Sequence, residues 1–174
     1  CYVTVADLLR PSKKPKNRHV APITLAFLVS DNMKAKDKSK PLKVLFDSGC
    51  SATIINRTAV RNLKKTQTSK TSWVTKTGTL NTSRKCQVEF SLPGFFERRT
   101  IQWNAYVDDS SNHHSRYDMI IGRDLMEDLG IDIIFSNNEV SWEGSTIPMQ
   151  SYDMLDEENV HILEQELLLA HDPD

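Results

Sequence analysis

No stretch of this sequence stays apolar long enough to span a membrane, which takes about 20 consecutive, predominantly apolar residues. No secretory signal pattern is visible either. A membrane role is therefore not expected, and an intracellular, cytoplasmic setting is. Cysteine is sparse: Cys1, Cys50 and Cys86 are odd in number and widely spaced. That excludes a disulfide framework and a zinc-ligand spacing, and it favours free thiols in a reducing compartment. No internal repeat is present. His113-His114 lies in a polar stretch with no ligand pattern around it, so solvated histidines are expected there and no metal or cofactor. The Tyr, His and Ser residues do not assemble into a nucleophilic catalytic set.

What is present is unevenly distributed. Net charge is −1, yet residues 151–174 hold eight of the 23 acidic residues and no Lys or Arg. The first 150 residues then carry 22 basic against 15 acidic residues, a balance of +7. A basic body and an acidic tail imply a boundary near residue 150. Residues 1–19 read as a linker, basic and punctuated by proline at Pro11 and Pro15. Solvation is favoured there over contact with nucleic acid. The first residue is Cys rather than Met, and the expectation is a segment cut from a longer polypeptide. In the tail, Val160, Leu163 and Leu167 fall on one helical stripe, with Ile162 and Leu168 flanking it. Asp156 is placed to cap that helix, and Glu157 and Glu158 suit its first turn. Such a helix can dock on the basic body, recognise a partner or act as a spacer; the spacer is the favoured reading.

Between these ends the pattern is of short strands. Ile23–Val29 and Leu42–Phe46 are apolar runs, and Thr53-Ile54-Ile55 resumes after a break. Arg57–Leu63 could form a helical turn. Residues 64–72, all Lys, Thr, Ser or Gln, read as a loop. Trp73–Thr77 and Arg84–Leu92 read as hairpin arms with Gly78 near the tip. In Thr100–Val107, the residues Ile101, Trp103, Ala105 and Val107 alternate along one face. Met119–Ile121 is strand again. Arg123–Leu129 is the one short helix of the body, with Gly130 as its stop. Ile131–Phe135 and Glu139–Trp142 form a hairpin across Ser136-Asn137-Asn138. The sum is a mainly β chain built as a small closed β architecture with one short helix.

Two segments carry chemistry. Asp47-Ser48-Gly49 follows directly on Val44-Leu45-Phe46 and occurs once. Alone it is an ordinary turn sequence. Downstream, Tyr117-Asp118-Met119-Ile120-Ile121-Gly122-Arg123-Asp124-Leu125 reads as a buried strand, a glycine and a helix start. A glycine after such a strand suits a place where another backbone passes closely. With Ser91-Leu92-Pro93-Gly94-Phe95, Ile101-Gln102-Trp103 and the Leu129-Gly130-Ile131 to Trp142 stretch, these blocks resemble the retropepsins. Those are the aspartic proteases of retroviruses and LTR retrotransposons. The likeness is nearest to the protease segment of gypsy-type retrotransposon Gag-Pol polyproteins; it covers about residues 20–149 and implies a protease domain over residues 20–150.

The resemblance implies a retropepsin-like acid protease fold: a small closed β-barrel with one short helix and a flap hairpin, active as a homodimer. It makes Asp47 catalytic, one copy from each protomer. Two carboxyls a few ångström apart do not both ionise comfortably, so one keeps its proton while the other stays charged. The pair can then activate a water and polarise a scissile carbonyl, best at mildly acidic pH. Ser48 would bond across the dimer axis. Gly49 would let substrate approach, and Gly122 would allow close packing beneath the loop. Thr77, Gly78 and Thr79 would form the flap tip over a polyprotein peptide, and Ile54, Leu80 and Ile120 are candidates for apolar pockets. Virus-like particles are a possible setting. The sequence departs from the retroviral pattern at Cys50 and Ser51, where an acid often pairs with the helix Arg. Arg123 must therefore find another partner, such as Asp124 or the opposite subunit, and Cys50 becomes a candidate for inhibitory oxidation. The rival reading is a catalytically inactive module of the same fold that dimerises and binds peptides.

Overall fold

The structure, a computed structural model, describes residues 19–29, 40–75, 78–110 and 116–169. Its frame is a ring of six strands. In spatial order these are β2 (Ile23–Leu28), β3 (Leu42–Phe46), β8 (Met119–Ile121), β4 (Ile54–Asn56), β7 (Thr100–Asp108) and β6 (Gly78–Ser91), and β6 pairs back onto β2 to close the barrel. Two pairings are parallel, β3 with β8 and β4 with β7, and the others are antiparallel. The strands close because they are amphipathic with a period of two. On β6, Cys86, Val88 and Phe90 point into the main core while Gln87 is exposed. On β7, Ile101, Ala105 and Val107 are buried and Gln102 and Asn104 are exposed.

The hairpin arm is longer than the sequence suggests. Residues 64–72 are not a loop: Lys65–Thr75 is one strand, β5, paired antiparallel with β6 from Lys65↔Cys86 to Thr75↔Gly78. A register irregularity between Gln67 and Thr71 interrupts it. Its Thr, Ser and Lys side chains are mostly exposed or half-exposed. No apolar face marks the strand in the sequence; backbone pairing with β6 holds it. Gly78 stands at φ +122°, a conformation that favours glycine. Lys76 and Thr77 lie outside the described residues. Arg57–Leu63 forms turns rather than a helix, with Ala59 N–H donating to Asn56 C=O and Leu63 N–H to Val60 C=O.

After β8 comes α1 (Arg123–Leu129), which ends at Gly130 in the left-handed conformation with its N–H on Met126 C=O. A three-stranded sheet follows, β9 (Ile131–Ile134), β10 (Glu139–Trp142) and β11 (Ser145–Pro148), in the order β11-β10-β9. Trp142 fastens it to the barrel by edge contacts with Phe95 and Phe96, at ring centroid distances of 5.8 and 5.2 Å.

The chain then returns to its beginning. β12 (Gln150–Ser151) pairs with β1 (Val20–Ala21), and a short 3-10 turn, Tyr152–Leu155, leads into α2 (Glu157–Leu169). Leu155 and Leu163 are buried in a second apolar cluster with Ala21, Ile23, Leu25, Leu45 and Tyr117. The described tail therefore packs on the barrel. Among the described residues, no helix is long and apolar enough to cross a membrane.

Candidate active site

The strand β3 has two faces with different fates. Val44 and Phe46 enter the main core, whereas Leu45 turns the other way, into the cluster under the tail. Asp47 follows in register with Leu45 at i+2, on that same face. It is only 2% exposed. Its backbone N–H donates to Ile121 C=O at 3.0 Å, which ties the end of β3 to β8.

The turn that follows is built around the carboxylate. Gly49 N–H donates to Asp47 Oδ1 at 3.0 Å, and Cys50 N–H donates to Asp47 C=O at 3.1 Å. A Cβ on residue 49 would stand 3.2 Å from the same Oδ1, so glycine leaves the N–H room to reach it. Ser48 and Gly49 are both exposed. The turn thus presents its tip to solvent while the carboxylate faces inward.

Below the turn lies Gly122. A Cβ there would come within 2.5 Å of Ala52 C and 2.9 Å of Cys50 O, and nearer still to Ala52 O. Real Cβ atoms essentially never sit so close to backbone. The two backbones meet because residue 122 has no side chain, and they are stitched together where they meet. Arg123 N–H donates to Cys50 C=O at 2.8 Å, and Gly122 N–H donates to Thr53 Oγ1 at 3.1 Å. Thr53 Oγ1 in turn donates to Asp124 Oδ1 at 2.8 Å, and Thr53 N–H donates to Asp124 Oδ2 at 3.1 Å. Thr53 and Asp124 therefore clamp the loop from Asp47 to Thr53 onto the start of α1. The sequence singled out neither residue for this task. The signal available was a Thr shortly after one turn and an Asp two residues after Gly122, which the antiparallel β4–β8 pairing, Ile54↔Ile120, brings together.

Asp124 is thus occupied by Thr53 and is not the partner of Arg123. The Arg123 guanidinium instead lies 3.8 Å from Glu127 one helical turn on, with both side chains well exposed. Such a pair contributes little. Asp118 accepts the Lys43 N–H at 2.9 Å, a turn-binding role.

Cys50 is buried in a third, smaller apolar cluster with Ile54 and Ile120, against which Trp73, Leu80 and Tyr106 pack. The rings of Trp73 and Tyr106 pack at a tilt of 55° with centroids 4.9 Å apart, and Trp73 Nε1–H donates to Thr82 Oγ1 at 2.8 Å. This cluster joins the outer part of the hairpin arm, at the Trp73↔Leu80 pair, to the loop after Asp47. Burial pushes the Cys50 thiol above its ordinary value of 9.0, the Ala52 carbonyl opposes the shift, and the nearby Asp47 and Asp124 carboxylates reinforce it. A buried neutral thiol reacts slowly, which counts against ready oxidation of Cys50 in the folded chain. Of the residues named for the hairpin tip, Gly78 and Thr79 are exposed at the start of β6, and Thr77 falls outside the described residues.

Tyr117 borders the Asp47 side of the barrel. Burial raises its phenol far above the ordinary range, Tyr152 adds to this through its charge interaction and a side-chain hydrogen bond, Arg116 opposes it, and Asp47 contributes a further rise. On the opposite flank of the turn, Ser48 shares a shallow depression with Arg123, Met126, Ile131, Ile133 and Phe135. Phe135 is 59% exposed.

No protein-family model matches the chain, and no curated protein matches it. Among solved structures it is similar to EIAV protease in complex with the inhibitor HBY-793, at 21% identity and a TM-score of 0.46, covering 68% of this chain and 97% of that one. It is likewise similar to the retroviral protease-like domain of Ddi1 from Leishmania major, at 14% identity and a TM-score of 0.45, covering 75% and 93%.

Proposed function

We propose that this chain is an aspartic endopeptidase that acts as a homodimer on extended peptide segments of a retrotransposon- or retrovirus-type polyprotein. The observation that carries the reading is the seat of Asp47. A carboxylate at the end of β3 receives the Gly49 N–H, on a turn whose approach to Gly122 tolerates no side chain. A surface Asp in an ordinary turn needs no such floor.

One chain supplies one carboxyl, so a second copy completes the pair. The charged member takes a proton from the water between them, the oxygen attacks the scissile carbonyl carbon, and the neutral member protonates the carbonyl oxygen. Collapse of the tetrahedral intermediate breaks the C–N bond as a proton passes to the departing amine. Ser48 sits at the exposed tip where the two turns would meet. The surface beside it supports the same arrangement: β9 is paired on one side only among the described residues, and Phe135 projects next to it. An open strand edge is a ready template for another chain. The β5–β6 arm offers a substrate peptide strand-like hydrogen bonds, and the cluster of Ile54, Leu80 and Ile120 suits apolar side chains.

The test is cleavage of a flanking polyprotein fragment by the wild type and by Asp47→Asn, with sedimentation run alongside. Processing by the wild type alone is the expected result. Equal processing by both removes Asp47 from the mechanism. Processing by neither, with dimers present, would favour a peptide-binding dimerisation module.

A further inference from the structure

The apolar face that Leu45 shares with Ala21, Ile23, Leu25 and Tyr117 continues directly into the Asp47 side of the turn. In the single chain it is covered by residues 152–163: Leu155 and Leu163 are fully buried against it, with Tyr152, Met154 and Val160 packed around them. Tyr152 reaches Tyr117, and Tyr117 is near enough to Asp47 to feel its charge. The covering segment is short of basic residues and sits on a body with a net positive balance. It is anchored at one point, the two-residue β1–β12 pairing at Val20↔Ser151 and Ala21↔Gln150. From there on, the 3-10 turn and α2 are held by side chains rather than by a sheet.

We infer that the segment Tyr152–Leu163 is a built-in cover over the Asp47 face, which must swing away before a peptide can lie along Leu45 and Tyr117 and reach the carboxylate. This rests on the protease reading above. A closed cover lowers the apparent affinity of any occupant by the fraction of molecules that stand open. Its release therefore raises both inhibitor affinity and turnover without altering the site itself. The chemistry of the cover matches what it displaces: Leu155 and Leu163 fill space that apolar side chains of an extended peptide would take, and the Tyr152 hydroxyl supplies a polar contact to Tyr117.

The test uses the full chain. Leu163→Asp places a charge at a fully buried contact of α2, and Tyr152→Phe removes only the hydroxyl contact to Tyr117. Ile162→Asp is the control, because Ile162 lies on the same helix and is 40% exposed. Three readouts are taken: pepstatin binding by calorimetry, hydrolysis of a fluorogenic peptide, and ultraviolet titration of the tyrosines, which reports whether Tyr117 has been uncovered. The expected result for Leu163→Asp is about a tenfold or greater gain in pepstatin affinity and in kcat/KM, with one more tyrosine titrating in the ordinary range. Tyr152→Phe should move the same way by a smaller factor, and Ile162→Asp should not move. A synthetic peptide of residues 151–169 added to Leu163→Asp should restore inhibition. If Tyr117 is uncovered while affinity and turnover stay at the wild-type level, the cover is refuted and the protease reading stands. If all the chains neither bind pepstatin nor cleave, the protease reading fails and the cover falls with it.

Discussion

Replacing Gly122 with alanine is the sharpest probe of how the candidate site is held. The new Cβ would lie 2.5 Å from Ala52 C and 2.9 Å from Cys50 O. To restore an ordinary contact of 3.4 Å or more, Ala52 O included, the loop and the end of β8 must part by about 1 Å, in an interior with little free space. Neither neighbour is a flexible side-chain end, so the strain falls on backbone. Overpacking of this kind costs about 1–3 kcal/mol. The parting also stretches Gly122 N–H to Thr53 Oγ1 and Arg123 N–H to Cys50 C=O, each with a net value of about 1 kcal/mol. The expected loss is about 3 kcal/mol, read as a lower urea midpoint with an unchanged slope. Activity should fall further than stability, because a displacement of about 1 Å at a reacting group can cost about 100-fold. Gly130→Ala is the matched control. It also forces a residue into the left-handed region, at φ +72°, but nothing lies within 4 Å of its Cβ. Its cost should be about 1 kcal/mol with peptide cleavage intact. If Gly122→Ala unfolds within about 0.5 kcal/mol of wild type and cleaves normally, the close approach of the two backbones is not what positions the turn.

Thr53→Val should cost about 1–3 kcal/mol and depress peptide cleavage, since it leaves the Gly122 N–H without its acceptor and removes one of the hydrogen bonds to Asp124; a urea midpoint equal to wild type would remove Thr53 from the clamp. Phe135→Asp should shift sedimentation toward single chains and cut activity in proportion at low protein concentration, while the melting temperature measured on single chains stays within a few degrees, because Phe135 is largely exposed. Cys50 should resist iodoacetamide at neutral pH in the folded chain and react promptly in urea. Both Cys50 and Cys86 are raised, chiefly by burial. Their contribution to stability is whole below the ordinary value of 9.0 and is lost as pH climbs through it toward the raised one. Urea midpoints should thus be level on this account up to about pH 8 and fall by about pH 10, with Tyr117 adding to the fall at higher pH; a midpoint that rises over that interval would contradict the burial of these groups.

The sequence by itself settled the parts whose evidence is local. Period-two alternation in Thr100–Val107, the apolar run before Asp47 and the strand-glycine-helix order at Met119–Leu129 specify a mainly β body with one short helix, and residues 20–150 show that architecture among the described residues. Gly130 stops the helix for a reason legible in the sequence, a residue free to adopt positive φ. The sequence could not disclose what depends on pairing across the chain. The part of β5 before Trp73 has no apolar face, so residues 65–72 read as loop; hydrogen bonds to β6 make them strand. Thr53 and Asp124 are 71 positions apart and become partners because β4 pairs antiparallel with β8. Both Asp124 oxygens are engaged by Thr53, and the Arg123 guanidinium lies near Glu127 instead. The tail's stripe of Val160 and Leu163 announced an apolar face but not its destination. Amphipathicity states that a helix must be covered, and the tertiary structure decides by what; here it is the face of the barrel that leads to Asp47.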